Sequence, residues 1–227
     1  AKAARLIMDH FGITTGIHID IQKHIPIAAG LAGGSANAAA VLVGLNALWK
    51  LGLSPSRLAK LGTVLGADVP FCIYGGTAVA RGIGEKITPL PPVEGISLIL
   101  VKPSFGVSTA SVYKSLEVEK IPVHPDWKTV YDLLAAGNLS ALRHHMSNVL
   151  ELVTIHRYPE INDIKACLDK AGASVTMMTG SGPTVFGVFE TATDAQQAVK
   201  KLKSVYSQVL SVSTWGRGVE ITEGGTL

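Results

Sequence analysis

The segment PIAAGLAGGSANAAAVL, residues 26–42, determines how the rest of this sequence is interpreted. Three glycines and a serine fall within Gly30–Ser35, and an alanine-rich run follows them directly. The first amides of a helix lack backbone acceptors and carry about half a positive charge, so a helix start attracts anions. Glycines let phosphate oxygens approach such amides, and a serine hydroxyl can join them or bind Mg²⁺. The segment therefore predicts a polyphosphate-binding loop, although a glycine-rich turn that only allows close helix packing would have a similar composition.

Neither of the two commonest phosphate-binding motifs fits this segment. A Walker A loop contains Gly-Lys-Ser/Thr, whereas Gly34 is followed directly by Ser35. A dinucleotide-binding loop has the spacing GxGxxG after a strand, with an acidic residue about 20 positions later. The segment therefore indicates a different class of phosphate-binding protein.

The composition is typical of a globular chain. Of 227 residues, 47% are hydrophobic and 16% are charged, which is too apolar for a disordered protein. No apolar run approaches the roughly 20 residues of a membrane-spanning helix, and the net charge of +3 comes without the basic stripe that indicates nucleic-acid binding. Cys72 and Cys167 form no CxxC pair and no secretory apolar segment is recognisable. We therefore expect reduced thiols in a cytoplasmic protein, with neither cysteine holding a metal.

The patterns along the chain indicate an α+β fold in two domains. GIHIDIQKHIP, residues 16–26, alternates isoleucine with polar residues, which predicts a half-buried strand. A helix follows, for which Ser35 can serve as the N-cap. After the proline pair at 91–92, the C-terminal region has the pattern strand, tight loop, strand, helix, strand, which predicts an antiparallel sheet with helices on one face. We place a first domain at residues 1–95 and a second at 96–227.

Two segments resemble motifs of the GHMP kinases, a family that includes galactokinase, homoserine kinase, mevalonate kinase and phosphomevalonate kinase. Residues 26–42 resemble the second motif, a proline followed by a glycine- and serine-rich loop that opens a helix. MTGSGPTVFGVF, Met178–Phe189, resembles the third motif, a glycine loop that folds back against the nucleotide and substrate site. The resemblance implies a small-molecule kinase that uses ATP and Mg²⁺. It also implies the two-domain GHMP fold, with a ferredoxin-like antiparallel sheet and helices in the C-terminal domain.

A narrower resemblance extends over essentially the whole chain. It is to those family members that phosphorylate the 2-hydroxyl of a cytidine diphosphate-linked methylerythritol in non-mevalonate isoprenoid biosynthesis. The segments that carry it are KHIPIAAGLAGGSANAAAVLVGLN (23–46), LGADVPF (65–71), GGTAVARGIGEKITPL (75–90), VSTASVYKSL (107–116) and GSGPTVFG (180–187). The alternatives are a kinase of the homoserine or mevalonate type, or a non-catalytic nucleotide-binding protein on the same scaffold. The resemblance implies a monomer or homodimer that acts on a small molecule and binds neither nucleic acid nor a membrane.

The resemblance also assigns roles to individual residues. Asp68 in LGADVPF corresponds to the catalytic base, although an aspartate at a helix end could instead cap local amides. The residues implied to bind ATP are Lys23, Pro26, Ala28, Ala29, Gly30, Leu31, Ala32, Gly33, Gly34 and Ser35, of which Ser35 is also the implied Mg²⁺ ligand. The third-motif loop consists of Thr179, Gly180, Ser181 and Gly182. Asn37 stands where some relatives have aspartate and is given no catalytic role, and Glu85 is expected to be a solvated turn residue.

One part of the family pattern is absent from this sequence. The family begins with a segment like Pro-Ala-Lys-Ile-Asn, whose lysine lies beside the catalytic aspartate, and a Tyr-His pair that holds the cytosine follows it. Residues 1–12 instead have apolar residues at the spacing of an amphipathic helix, and we expect the sequence to start in the middle of that helix. We expect the chain to begin inside an incomplete first domain, as a truncated or proteolysed product would. The alternative is a protein that has lost part of its site.

Overall fold

The computed structural model describes residues 1–121 and 125–222. Its internal contacts divide the chain into two compact units. The residues of the first unit are 1–25, 32–92 and those from Trp215 onward, and the residues of the second unit are 26–31 and 93–214. The main division thus lies directly after the proline pair at 91–92, and the short segment 26–31 belongs to the second unit although first-unit residues flank it on both sides.

The described part of the first unit consists of helices and a two-stranded sheet. The helices are α1 (Lys2–Phe11), α2 (Gly33–Leu48), α3 (Pro55–Gly62) and α4 (Val69–Tyr74), and the strands are β1 (Thr77–Arg81) and β2 (Lys86–Leu90). The two strands pair antiparallel through the turn at residues 82–85. α3 begins after Ser54, whose side chain accepts a hydrogen bond from the Arg57 amide, and Pro55 occupies its first turn.

The helices of the first unit pack around one apolar core. Its fully buried side chains include Ile7 of α1, Leu42 of α2 and Val69 of α4, and burying each such side chain stabilises the fold by about 1.5–3 kcal/mol. Gly62 at the end of α3 allows an especially close approach, since a Cβ there would lie 2.6 Å from a methyl group of Val69. This packing fixes the start of α4, directly after Asp68.

The strand predicted at residues 16–26 is not formed. These residues have no regular secondary structure and pair with no strand in the described parts of the chain. Ile17, Ile19 and Ile21 are 36%, 38% and 50% exposed and line a groove beside α2. The prediction was wrong because alternation specifies which side chains share a face, whereas a strand also needs a partner within hydrogen-bonding distance.

The N-cap predicted for α2 is also wrong. α2 begins at Gly33, so Ser35 lies inside the first turn and does not precede it. The N-cap position belongs to Ala32, which has a left-handed backbone with φ 48° and makes no side-chain hydrogen bond to the helix. A capping side chain must precede the first turn in order to accept from its amides. The helix therefore begins without a side-chain cap.

The chain from Trp215 onward returns to the first unit. Gly218 packs against the C-terminal end of α4, because a Cβ on Gly218 would lie 2.7 Å from the carbonyl oxygens of both Cys72 and Ile73. Val219 packs against the core of the unit. This C-terminal segment therefore closes over the end of α4 through contact of backbone with backbone.

The second unit is built on a four-stranded antiparallel sheet. Its strands are β3 (Ser97–Lys102), β4 (Val175–Met178), β5 (Val185–Phe189) and β6 (Gln208–Ser213), in the spatial order β4-β5-β3-β6. Ile99 of the inner strand β3 stands opposite Gly187 of β5 and Ser211 of β6. The sheet confirms the predicted α+β class and the predicted order of elements at the C-terminal end.

Helices of the second unit pack on this sheet. They are α5 (Thr109–Ser115), α6 (Trp127–Ala135), α7 (Glu151–Arg157), α8 (Glu160–Lys170) and α9 (Ala192–Leu202), with 3₁₀ helices at Val118–Lys120 and Ala141–His144. Ser108 caps α5 and Thr191 caps α9. None of the helices within the described ranges of the chain is long and apolar enough to cross a lipid bilayer.

The second unit has apolar clusters on both faces of its sheet. Val185 and Phe189 of β5 belong to the main core, together with buried residues of α8 and α9. Val188, which points the other way in the pleated strand, belongs to a smaller cluster with Leu142 of the second 3₁₀ helix and partly buried residues of α6. The expectation that helices cover only one face was therefore wrong, since α6 and this 3₁₀ helix pack on the opposite face.

Replacing Gly62 and Gly44 by alanine is expected to change stability in opposite directions. Both residues are helical, where alanine is favoured over glycine by about 0.5–1 kcal/mol. A Cβ at Gly44 would meet no atom of the described residues within 4 Å, so Gly44→Ala should raise the free energy of unfolding by about this amount. In Gly62→Ala the clash of the new Cβ with Val69 should outweigh this preference and lower the free energy of unfolding by about 1–3 kcal/mol. Urea denaturation measures both values, and equal stabilisation by the two variants would contradict the tight packing of α3 on α4.

Candidate active site

The start of α2 presents free backbone amides in the first unit. The first helical hydrogen bond at this end joins the Ala36 amide to the Ala32 carbonyl at 2.9 Å. As at any helix start, the amides of residues 33–35 have no acceptor within the helix. A Cβ on Gly34 would meet no atom of the described residues within 4 Å, so the space beside the turn is open. Free amides, a positive helix end and open space together suit an anion.

Lys23 lies over the same turn. Its Nζ donates to the Gly33 carbonyl at 2.7 Å and to the Asn37 Oδ1 at 3.2 Å. Glycine at position 33 makes this possible, since a Cβ there would lie 2.8 Å from the ammonium nitrogen. Two parts of the predicted nucleotide site, Lys23 and the first turn of α2, are therefore in contact. Asn37, to which no role was assigned, helps to orient the ammonium group.

Residues 26–31, which belong to the second unit, have an unusual backbone. φ is positive at Ala28 (52°) and at Gly30 (70°), and it is positive again at Ala32 (48°). Left-handed residues in a turn are typical of the backbone concavities, called nests, that bind anions. An L-residue in this conformation costs about 1–2 kcal/mol, so the surrounding structure must hold the segment in shape.

The third-motif loop, residues 179–182, supplies that support at Gly30. The Thr179 hydroxyl donates to the Gly30 carbonyl at 3.0 Å across 149 positions of sequence. A Cβ on Gly30 would lie 2.6 Å from the Thr179 carbonyl oxygen and 2.8 Å from that of Gly182. The two glycine motifs are therefore in direct contact. Ser181 is only 4% exposed and its hydroxyl lies 2.8 Å from that of Thr109, so this predicted loop residue points into the second unit.

Two residues that the sequence analysis missed hold the same loop. Asn148 Nδ2 donates to the carbonyls of Met178 and Gly180, each at 2.8 Å. Glu151 accepts from the Met178 amide at 2.7 Å. The spacing of Asn148, Glu151 and Thr154 was the available signal, because polar residues three positions apart lie on one side of a helix.

Asp68 is an exposed residue at the N-cap position of α4, and its side chain makes no capping hydrogen bond. The alternative interpretation of Asp68, as a capping residue, is therefore wrong. Its Oδ1 lies 3.8 Å from the position of a Cβ on Gly84. Glu85, in contrast, accepts a hydrogen bond from the Ile83 amide at 2.8 Å and so closes its own turn. Of these two carboxylates, that of Glu85 bonds to its own turn, whereas that of Asp68 makes no capping bond.

The pKa of the Cys72 thiol depends in part on the charge of Asp68. Asp68 is the N-cap residue of α4 and Cys72 lies one turn later, so that the Cys72 amide donates to the Asp68 carbonyl at 3.0 Å. Burial raises the pKa of the Cys72 thiol above its ordinary value, and the negative charge of Asp68 raises that pKa further. The thiol is therefore a chemical probe of the carboxylate beside it.

No group of three or more His, Cys, Asp or Glu side chains that could hold a metal occurs among residues 1–121 and 125–222. Ser35, the predicted Mg²⁺ ligand, lies in the first turn of α2, with its Oγ 3.4 Å from the position of a Cβ on Gly66. In kinases, Mg²⁺ is held by few protein oxygens together with the phosphates of the nucleotide. One hydroxyl beside free amides fits an ion that is bound in this shared way.

Family models match both parts of the chain. The model for the GHMP kinases N terminal domain matches residues 1–76, and the model for the GHMP kinases C terminal domain matches residues 130–208. The chain belongs to the GHMP kinase family. The first match contains Lys23, the glycine-rich loop and Asp68, and the second contains the third-motif loop.

The relatives of this GHMP kinase chain include proteins named for one substrate. The 4-diphosphocytidyl-2-C-methyl-D-erythritol kinase of Geobacillus sp. (strain WCH70) is 48% identical over 95% of this chain and 74% of that protein. A crystal structure of 4-(cytidine 5'-diphospho)-2C-methyl-D-erythritol kinase matches with a TM-score of 0.83 and 31% identity, over 95% of this chain and 77% of the other. A homoserine kinase from Cytophaga hutchinsonii shares the fold, with a TM-score of 0.74 and 20% identity over 95% and 75% of the two chains.

Alkylation of Cys72 is expected to depend on the charge of Asp68. The thiolate is the reactive form, so the raised pKa of Cys72 should make iodoacetamide slow at pH 8 and faster only at higher pH. Asp68→Asn removes one cause of the raised pKa, so the pKa should fall and the rate at pH 8 should rise. Mass spectrometry in a Cys167→Ser background measures the rate, and Glu85→Gln serves as the control that should not change it. An unchanged rate in Asp68→Asn would contradict the proximity of the two groups.

Proposed function

We propose that this chain acts as a kinase that transfers the γ-phosphoryl group of ATP to the 2-hydroxyl of 4-diphosphocytidyl-2-C-methyl-D-erythritol, in the cytoplasm. The reaction belongs to the non-mevalonate synthesis of isoprenoid precursors. The observation that carries the proposal is that Asp68 is exposed and that its carboxylate makes no capping hydrogen bond to α4. It lies in a chain that is 48% identical to a curated kinase named for this substrate.

In this proposal the segment Gly30–Ser35 binds the triphosphate of ATP. The amides at the start of α2 donate to phosphate oxygens, and the Lys23 ammonium neutralises part of their charge. The positive φ angles of Ala28 and Gly30 shape the backbone that leads into this turn. Bound Mg²⁺ would neutralise part of the negative charge of the phosphates. The Ser35 hydroxyl is the protein ligand that we assign to it.

Asp68 is the general base of the proposed reaction. Phosphoryl transfer depends mainly on positioning and charge neutralisation, and a carboxylate contributes by orienting the acceptor hydroxyl and accepting its proton. Asp68 is suited to this role because the core packing of Val69 and Gly62 fixes the start of its helix. Its carboxylate makes no capping hydrogen bond to α4 that would compete with the substrate hydroxyl.

A panel of phosphoryl acceptors tests the proposed substrate. The protein is incubated with Mg-ATP and either 4-diphosphocytidyl-2-C-methyl-D-erythritol, homoserine or mevalonate, and the phosphorylated product is detected by ³¹P NMR. Turnover of the cytidine-linked acceptor alone supports the proposal. Preference for homoserine or mevalonate would replace it with another GHMP kinase activity, and nucleotide binding without transfer to any acceptor would favour a binding protein.

Asp68→Asn is expected to lower kcat by about 10²–10⁴, because the amide keeps the shape of the side chain but cannot accept the proton. The KM for ATP should change by less than a few-fold, since the variant leaves the amides of α2 and Lys23 intact. Steady-state kinetics with the preferred acceptor measures both constants. Glu85→Gln, at the carboxylate that closes its own turn, should retain wild-type rates. A kcat for Asp68→Asn within a few-fold of wild type would reject Asp68 as the base.

Gly30→Ala is expected to weaken binding of Mg-ADP by at least about tenfold. The new Cβ would meet the carbonyl oxygens of Thr179 and Gly182 and force the segment away from the third-motif loop. Gly137→Ala is a matched control, since Gly137 has nearly the same φ (68° against 70°) but no described atom within 4 Å of a Cβ. Both variants carry the cost of a left-handed alanine, about 1–2 kcal/mol. Equal nucleotide affinity in the two variants would remove Gly30 from the proposed site.

A further inference from the structure

Three side chains in and just before α7 form hydrogen bonds with the third-motif loop and the residue before it. Asn148, Glu151 and Thr154 are spaced three apart, and each bonds to the backbone of residues 178–181. Asn148 Nδ2 donates to two carbonyls of this segment and Glu151 accepts from the Met178 amide. The Thr154 hydroxyl donates to the Ser181 carbonyl at 3.3 Å and is fully buried. Three side chains thus hold a turn that contains two glycines.

Glu151 is itself fixed by a second partner. Its other carboxylate oxygen lies 2.6 Å from Lys165 Nζ, and the two side chains are only 17% and 23% exposed. An ion pair on the surface contributes little because solvent screens it. Here, both oxygens of a largely buried carboxylate are used, one by an ammonium and one by a backbone amide, and hydrogen bonds of this charged kind are the stronger ones. The carboxylate therefore has one orientation, which fixes the end of β4 at Met178.

Asn148 spans the turn. Both of its bonds to the loop come from Nδ2, at 2.8 Å to the Met178 carbonyl and 2.8 Å to the Gly180 carbonyl. Its Oδ1 accepts separately from the Leu150 amide at 3.0 Å. The two ends of the side-chain amide therefore bond to different segments. The oxygen accepts from the backbone just before α7, and the nitrogen donates to the loop. A substitution that keeps the oxygen and removes the nitrogen separates them.

We propose that Asn148 and Glu151 are positioning residues for the kinase reaction. They hold the third-motif loop in the one conformation in which the Thr179 hydroxyl reaches the Gly30 carbonyl and the Thr179 and Gly182 carbonyls pack against Gly30. Through this contact they maintain the left-handed conformation of Gly30. The inference rests on the proposed function, in which Gly30 belongs to the phosphate-binding segment. Neither residue is assigned a contact with the nucleotide or the acceptor.

Asn148→Asp tests this role. The aspartate keeps the oxygen that accepts from Leu150, but at pH 8 it donates no hydrogen bond and places a negative charge against two carbonyl oxygens. Asn46→Asp is the matched control, since Asn46 likewise donates to a backbone carbonyl (Leu53, 3.1 Å) and accepts from a backbone amide (Leu53, 2.9 Å) but lies at the far end of α2. We expect Asn148→Asp to raise the dissociation constant of Mg-ADP about tenfold, and Asn46→Asp to leave it unchanged.

Glu151 supplies a second test that does not depend on the first variant. Glu151→Gln retains an oxygen that can accept from the Met178 amide, whereas Glu151→Ala does not. We expect the alanine variant to lose Mg-ADP affinity about tenfold and the glutamine variant to recover most of it. Hydrogen exchange at residues 179–182 should be faster in Asn148→Asp and Glu151→Ala than in wild type. A purely structural role would lower stability and speed exchange in the loop, but it would leave the Mg-ADP affinity of the folded protein unchanged.

The outcomes separate this inference from the proposed function. Wild-type affinity for Mg-ADP in folded Asn148→Asp and Glu151→Ala overturns the positioning role even if the wild-type protein phosphorylates the cytidine-linked acceptor. If wild type binds Mg-ADP but phosphorylates a different acceptor, the proposed substrate fails, and the variant affinities still decide the positioning role. Absence of Mg-ADP binding by wild type would overturn both.

Discussion

The second unit depends on the close approach of two glycine-containing backbones. Gly30 and the turn at residues 179–182 are so close that no side chain fits on Gly30, and a Cβ on Gly180 would in turn lie 3.3 Å from the Gly30 carbonyl oxygen. Contact of this kind brings polar backbone groups together, and each of them then needs a partner. Here, the Thr179 hydroxyl and the Asn148 amide supply partners for the carbonyls. This contact holds Gly30, which belongs to the segment that we propose to bind phosphate, in its left-handed conformation.

The three carboxylates of Glu151, Glu85 and Asp68 differ in what they are bonded to. Glu151 is shared between an ammonium and a backbone amide, and Glu85 closes a turn. Asp68 occupies a position where aspartate ordinarily caps a helix, yet it makes no such bond. Glu85 and Glu151 thus bond to protein donors, whereas the Asp68 side chain makes no capping bond, which is why we propose Asp68 as the base.

The sequence predicted those features that depend on neighbouring residues. Helix starts with a serine before a helical run, such as Ser54 and Ser108, are predictable from sequence because the cap and the amide that it bonds are three positions apart. The strand at residues 16–26 was not formed, since a partner strand is a property of the whole fold. The two glycine motifs could be assigned to one family site by resemblance, but their contact across 149 positions could not be derived from spacing. For the same reason Asn148 and Glu151, about 30 positions before the loop that they hold, were missed.

The return of the chain to the first unit after residue 214 has a consequence for synthesis on the ribosome. Gly218 and Val219 complete the packing around α4, and they are translated only after all of residues 93–214. Since translation adds about 5–20 residues per second, the helices of the first unit wait several seconds for this last segment. The sheet of the second unit, whose last strand ends at Ser213, has all its strands before then. Until Gly218 and Val219 are made, the C-terminal end of α4 lacks the backbone that packs against it, although Val69 and Ile73 of this helix belong to a core that residues of α1, α2 and α3 already supply.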